Sequence, residues 1–203
     1  MATPPKQARS IATEQKMLDA AEELLRGGDS RQVTVENVTK LSGAKVSSFY
    51  ARFGNIEGLF DALRDRYRES IYQTKIIEGY EKALQQTDLK SALHHALKPT
   101  FELARKEHKA VSYFIKNPNP DQELPLEQRK LLVDSTLKIL QKHRTEVKKK
   151  DLRRASENIS RMCHATWVHL ALIEPSEFIG RRTSLASVIE STTEMAYAYL
   201  TTE

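Results

Sequence analysis

The chain has 203 residues, 39% of them hydrophobic and 29% charged, which predicts a globular protein of one or two domains rather than a large multidomain one. Its single cysteine, Cys163, excludes an internal disulfide and a multi-cysteine zinc site, and we find neither a run of roughly 18 apolar residues for a membrane span nor a secretory signal, so we expect a soluble, cytoplasmic protein. The net charge of +5 identifies no partner, because residues 1–65 carry nine basic and nine acidic side chains and the surplus lies in residues 66–203.

Apolar residues recur at helical spacing along the chain, and the alternation typical of strands is nearly absent, so the sequence predicts an all-α fold. The first helix carries an apolar stripe over residues 17–25 and is predicted to end at Gly27-Gly28. Thr34 has the position of an N-cap for a short helix. The turn Ser42-Gly43-Ala44 separates that helix from a second short one over residues 46–53.

The rest of the chain also consists of helical patterns. Asn55 is predicted to cap a long helix that reaches Ile71, and Thr87-Asp88 opens a helix to about His108, with Pro99 as a kink. Three prolines make residues 117–125 a loop. The remaining helices are predicted at residues 109–116, 126–150, 151–174 and 183–202. The sequence thus predicts about nine helices, with short ones first and a larger bundle after them.

The two short helices and their turn match a helix-turn-helix, because Gly43 permits the positive φ of a tight turn. Four apolar side chains are predicted to lock them onto the first helix: Leu41, Val46, Phe49 and Phe53. That packing leaves four side chains facing outward at the start and flank of the second helix, as a recognition helix requires: Lys45, Ser47, Ser48 and Arg52. The alternative is an ordinary helical bundle, in which Phe49, Tyr50 and Phe53 only fill a core.

Residues 10–65 resemble the amino-terminal domain of TetR-type transcriptional regulators. The residues that carry the resemblance are Met17–Ala21, Thr34, Ser42-Gly43-Ala44, Ser48–Phe53 and Asn55–Phe60. For the remainder of the chain, the resemblance rests on length and helix order alone.

The resemblance implies DNA contacts position by position. Thr34, Tyr50 and Arg52 would bind phosphates. The first turn of the second short helix would lie against base edges, through Lys45, Val46, Ser47 and Ser48. The chain departs from the family pattern at Lys45, where a serine is usual, and at Ile56, where a lysine is usual, so one phosphate contact is predicted to be missing.

The carboxy-terminal part resembles the ligand-binding and dimerisation domain of the same family in general plan. Apolar residues occur on more than one face between Ile159 and Ile173, which predicts a helix buried on two sides. One side would meet its own domain. The other, together with the apolar stripe of residues 183–202, would meet a second subunit. The alternative is a central helix in the core of a monomer.

The resemblance also implies a pocket for a small-molecule effector among the middle helices. Candidate lining residues are Phe101, Tyr113, Phe114, His164 and Trp167. Aromatic residues at helical spacing are also typical of an ordinary core, which is the alternative for each of them.

Catalytic motifs are absent from the sequence. The seven glycines form neither a phosphate-binding loop nor a nucleophile elbow. His164 and His169 lie five residues apart, whereas a zinc site on one helical face requires four. We therefore expect no enzyme, no metal and no cofactor.

The sequence predicts a flexible tail at residues 1–9, a helix-turn-helix DNA-binding domain at residues 10–54 and an effector-binding, dimerising domain at residues 55–203. The predicted function is that of a homodimeric transcriptional regulator, most simply a repressor, that binds a palindromic operator and is released by a small molecule. The first alternative is a helical ligand-binding or scaffolding dimer that has lost DNA binding, and the second is a helical enzyme.

Overall fold

The computed structural model describes residues 5–69, 74–119, 126–173 and 183–203. Within these ranges all regular structure is helical, which confirms the predicted all-α class. A short 3-10 helix, Ser30–Gln32, accompanies ten α-helices: α1 (Pro5–Arg26), α2 (Val35–Ser42), α3 (Val46–Phe53), α4 (Ile56–Arg66), α5 (Thr74–Ala83), α6 (Leu89–Lys106), α7 (His108–Lys116), α8 (Leu126–Lys142), α9 (Leu152–Leu172) and α10 (Leu185–Thr201).

Helix starts follow the polar capping residues of the sequence. Thr34, Asn55 and Asp88 each accept a hydrogen bond from a backbone amide in the first turn of the helix they precede, as predicted. Residues 5–9, which the sequence placed in a tail, belong to α1. The predicted continuation of α4 to Ile71 extends past the described residues. Residues 120–125 of the loop predicted over residues 117–125 also lie outside them.

Two helical segments differ from the prediction. The pattern of α5 was not predicted as a separate helix, so the described chain has ten α-helices rather than nine. The helix predicted over residues 126–150 ends at Lys142, because the following turn makes tertiary bonds instead. There the Glu146 carboxylate accepts from the Leu89 amide at 3.0 Å, and the Lys148 amide donates to the Leu200 carbonyl at 2.8 Å.

The chain divides into two compact units. The first comprises Met1–Glu69 and Lys109–Pro118, and the second comprises Ser70–His108 and Asn119–Glu203. The first unit therefore includes α4 and nearly all of α7. The functional boundary at residue 54 stays a prediction.

The core of the first unit forms where α1 packs against α2, α3 and α4. Its fully or almost fully buried side chains are Met17, Leu18, Ala21, Leu25, Val38, Phe49, Leu59 and Leu63. The predicted core positions Leu41 and Val46 are wrong, because these side chains are 48% and 50% exposed. Each lies at the end of an eight-residue helix beside the turn, and only the middle of such a short helix reaches the core.

The core of the second unit surrounds α6, which packs against α5, α8, α9 and α10. The apolar stripe of α10, which was predicted to meet a second subunit, lies in this core instead. Ile189, Ala196 and Leu200 are buried there, and Leu185 and Val188 pack against the cluster that contains Ile189. None of the helices in the described ranges is long and apolar enough to cross a bilayer.

Candidate nucleic-acid interface and ligand pocket

The turn between α2 and α3 depends on Gly43. This residue has φ 67° and ψ 16°, in the left-handed region, and its amide donates to the Thr39 carbonyl. A Cβ atom at position 43 would meet nothing within 4 Å. Glycine is therefore favoured here by backbone conformation and not by lack of space, and the tight turn of a helix-turn-helix follows.

The first turn of α3 is presented to solvent. Lys45 is the N-cap residue, is exposed and makes no side-chain capping bond. Val46 is 50% exposed and Ser47 is exposed, whereas Ser48 is half-buried. An ammonium group, an apolar side chain and a hydroxyl thus flank the positive end of the helix dipole, and no acidic residue lies in that turn.

Two further predicted phosphate ligands lie at the surface of the same unit. Thr34 is exposed, and its Oγ1 accepts from the Asn37 amide at 3.1 Å. Tyr50 is 52% exposed, so it does not fill the core as the alternative of an ordinary helical bundle requires. The ring meets Phe49 edge to face, with centroids 5.7 Å apart, and the rest of the side chain is open to solvent.

Arg52 does not project outward as the sequence predicted. Its Nη2 donates to the Ser10 carbonyl at 2.8 Å and to Ser10 Oγ at 2.6 Å, and its Nη1 donates to the Ser48 carbonyl at 3.2 Å. Glu14 lies 4.0 Å away, and the side chain is only 16% exposed. The guanidinium therefore joins an early turn of α1 to the first turn of α3.

Tyr113 and Phe114, predicted as effector ligands, pack inside the first unit. Tyr113 stacks on Phe60 with centroids 4.6 Å apart, and burial raises the pKa of its phenol. Phe114 contacts Tyr67 and lies 5.3 Å from the guanidinium of Arg64, which also donates to the Asn117 carbonyl at 2.9 Å. These contacts attach α7 to α4.

The second unit contains a small pocket that opens to solvent. It lies among α5, α6, α8 and α9, and its lining residues are Tyr80, Ala96, Leu97, Thr100, Leu132, Ser160, Cys163, His164 and Trp167. The rings of His164 and Trp167 stack with centroids 5.9 Å apart. Of the five predicted effector ligands, the structure brings these two together. Phe101 is fully buried in the cluster against which Trp167 packs.

Sequence reasoning missed Tyr80, Thr100 and Ser160 among the lining residues. Ser160 had a usable signal, because it precedes His164 by one turn and Trp167 by two on the same face of α9. Burial raises the pKa of the Cys163 thiol to about 12, so this side chain is protonated at neutral pH. The described residues contain no cluster of three or more His, Cys, Asp or Glu side chains that fits a metal ion.

Residues 17–63, from the middle of α1 into α4, match the family model described as bacterial regulatory proteins, tetR family. These residues therefore form a regulatory-protein domain of the tetR type. No curated protein matches the sequence.

Solved structures of TetR-family regulators share the fold over nearly the whole chain. A regulator from Streptomyces coelicolor is 11% identical with a TM-score of 0.65, covering 100% of this chain and 98% of its own. The fatty acid degradation regulator FadR from Bacillus halodurans is 16% identical with a TM-score of 0.61, covering 92% and 98%. AibR, solved with isovaleryl coenzyme A and operator DNA, is 9% identical with a TM-score of 0.62, covering 90% and 97%. The amino-terminal helix-turn-helix domain and the helical carboxy-terminal domain are thus those of the TetR fold.

Proposed function

We propose that this TetR-family regulator is a repressor that binds a palindromic operator as a homodimer and leaves it when a small molecule binds the second unit. The observation that carries the proposal is the exposed first turn of α3, with Lys45 free of a capping bond at its tip. A recognition helix needs this turn clear of its own fold, because its first side chains enter the major groove. The proposal includes no catalytic activity and places the protein in the cytoplasm.

The base contacts are assigned to the first turn of α3. The ammonium group of Lys45 suits guanine O6 and N7, and the exposed side chain of Val46 suits a thymine methyl group. Ser47 and the half-buried Ser48 have hydroxyls that donate to or accept from base edges. Specificity should therefore depend most on Lys45.

The phosphate contacts are assigned to Thr34, Tyr50 and Arg52. Thr34 and Tyr50 are exposed and need no rearrangement. Arg52 has to exchange a bond to Ser10 or Ser48 for a phosphate oxygen, which is a stronger acceptor because it is charged. We therefore assign Arg52 two roles, the docking of α1 in the free protein and a phosphate contact in the complex.

The dimer is assigned to α9 and α10. Two recognition helices must lie about 34–36 Å apart to read successive major grooves, which one subunit with one such helix does not achieve. Because the apolar stripe of α10 packs inside its own unit, the partner would meet the other side. That side exposes Met195 to 55%, together with smaller side chains at Ser187, Ser191 and Ala198.

The effector site is assigned to the pocket lined by His164 and Trp167 in the second unit. AibR was solved with both an acyl coenzyme A and operator DNA, and its shared fold supports an effector in the helical domain here. The sequence candidates Phe101, Tyr113 and Phe114 take no direct part in this assignment. Phe101 is fully buried, and Tyr113 and Phe114 pack on Phe60 and Tyr67 in the first unit.

Selection of duplexes from random DNA tests the proposal. The full chain should enrich a palindrome, bind it as a dimer in light scattering, and lose affinity steeply as salt rises. Enrichment of no sequence, or binding by a monomer to a single half-site, would contradict it.

A further inference from the structure

The pocket of the second unit contains a hydroxyl without a partner. Ser160 lines the pocket, and its Oγ is buried and makes no hydrogen bond in the described part of the chain. A buried polar atom without a partner destabilises a protein. A ligand atom that pairs with Ser160 Oγ would remove that destabilisation on binding.

The other walls of the pocket are mainly apolar, with further polar groups at Tyr80, Thr100, His164 and Trp167. The Tyr80 hydroxyl pairs with Thr136 Oγ1 at 3.0 Å, which leaves its ring as a wall. The thiol of Cys163 is protonated, as described above. Ala96, Leu97 and Leu132 add apolar surface, and Trp167 adds an aromatic face.

Fixed charge is missing from this lining. None of the described lining residues is Lys, Arg, Asp or Glu. A charged ligand group placed among them would lose its hydration, and among the lining side chains only the imidazole of His164, which stacks on Trp167, can become a counter-ion. The lining therefore favours a neutral molecule over an acid or an amine of the same shape.

We propose that the pocket binds an uncharged, mainly apolar small molecule that accepts a hydrogen bond from Ser160 Oγ through a carbonyl oxygen and lies against Trp167. This inference rests on the proposed function, since it names the chemical class of the effector. Ser160 would select a ligand with a hydrogen-bond acceptor, and Trp167 would select a ligand whose shape fits its ring face.

The chain provides its own reporter for a test. Trp167 is the only tryptophan in the sequence, so fluorescence excited at the red edge of the absorption band, where tyrosine does not absorb, reports on this pocket. Three probes of similar shape are titrated into the full chain without DNA: benzylacetone, a neutral ketone; butylbenzene, its hydrocarbon counterpart; and hydrocinnamate, a carboxylate. Free N-acetyltryptophanamide corrects for collisional quenching.

Benzylacetone should give saturable quenching, and hydrocinnamate should bind at least about tenfold more weakly. Ser160→Ala should weaken benzylacetone binding about two- to tenfold and leave butylbenzene binding unchanged. Ser156→Ala is the matched control on α9. Its hydroxyl bonds to the Arg153 carbonyl at 2.7 Å and does not line the pocket, so binding of all three probes should persist.

Several results would overturn the inference. Equal affinity for hydrocinnamate and benzylacetone would show that the pocket does not prefer a neutral ligand. Equal losses of affinity for benzylacetone and butylbenzene in Ser160→Ala would show that Ser160 does not donate to the ligand. Absence of saturable quenching by benzylacetone removes the site. Because no DNA is present, these results are independent of whether duplex selection supports the proposed function.

Discussion

The two units hold their candidate functional side chains in opposite environments. In the first unit, Lys45, Val46 and Ser47 are exposed at the positive end of a short helix. In the second unit, Ser160 and Trp167 line a pocket without a fixed charge. An exposed cation suits a large polyanion, whose binding falls with salt. An uncharged lining suits a small neutral ligand, whose binding should depend little on salt. Four variants of the first unit test this contrast.

The largest effect is expected from Phe49→Ala. The Phe49 side chain is fully buried in the first unit, so its removal should lower the stability of that unit by about 3–5 kcal/mol and abolish duplex binding. Far-UV circular dichroism during denaturation should show an early transition. Fluorescence of Trp167, which belongs to the second unit, should keep its wild-type midpoint. A shift of both signals together would show that the units do not respond separately.

A smaller effect on affinity, with a change in specificity, is expected from Lys45→Ala. Loss of a direct base contact should cost about 1–3 kcal/mol of discrimination at one base pair of each half-site. Since Lys45 makes no side-chain capping bond, the thermal unfolding midpoint of the Lys45→Ala variant should match that of the wild type. Lys16→Ala, which removes an equal charge from the exposed surface of α1, should leave the selected sequence unchanged. An unchanged sequence for Lys45→Ala would refute its base contact.

Arg52→Ala should loosen the start of α1. The variant loses the bonds to Ser10 and Ser48, at a cost of about 1–3 kcal/mol in local stability. Hydrogen–deuterium exchange over residues 5–16 should rise. Arg52→Lys keeps the charge but lacks the planar fork, so it should show most of the same rise. Wild-type exchange in both variants would exclude the docking role.

Gly43→Ala should have the smallest effect. The positive φ at this position costs about 1 kcal/mol for an alanine, although the space for a Cβ is open. Gly43→Asn should cost less, since asparagine tolerates this region better. Thermal unfolding of the two variants checks the order, and equal midpoints for glycine and alanine would mean that the turn relaxes.

Local signals were enough to predict the helix-turn-helix. Capping and turn geometry can be predicted from one sequence, because they depend on residues that act on the backbone nearby, here Thr34, Gly43 and Asn55. The orientation of Arg52 could not be predicted in this way, because its partner Ser10 lies 42 positions away in the sequence. The end of α8 was missed for a similar reason, since its turn is fixed by bonds to Leu89 and Leu200.

The pocket was predicted only in part. His164 and Trp167 stood out as polar or aromatic side chains in an apolar helix. The role of Ser160 depends on the burial of its hydroxyl, which results only when the four helices around the pocket assemble. Tyr113 and Phe114 looked equally suitable by residue type, yet they stack on Phe60 and Tyr67. Residue type identified aromatic side chains but not the surface that each would cover.

Photocrosslinking from the first turn of α3 tests whether this turn contacts the bases of the operator. Ser47→Cys in a Cys163→Ala background is labelled with azidophenacyl bromide and irradiated on the selected duplex. Adducts are expected at bases within each half-site, and none above background from the matched Thr87→Cys on the exposed turn before α6. Equal adduct formation from both positions would contradict the assignment of α3 as the DNA-reading element.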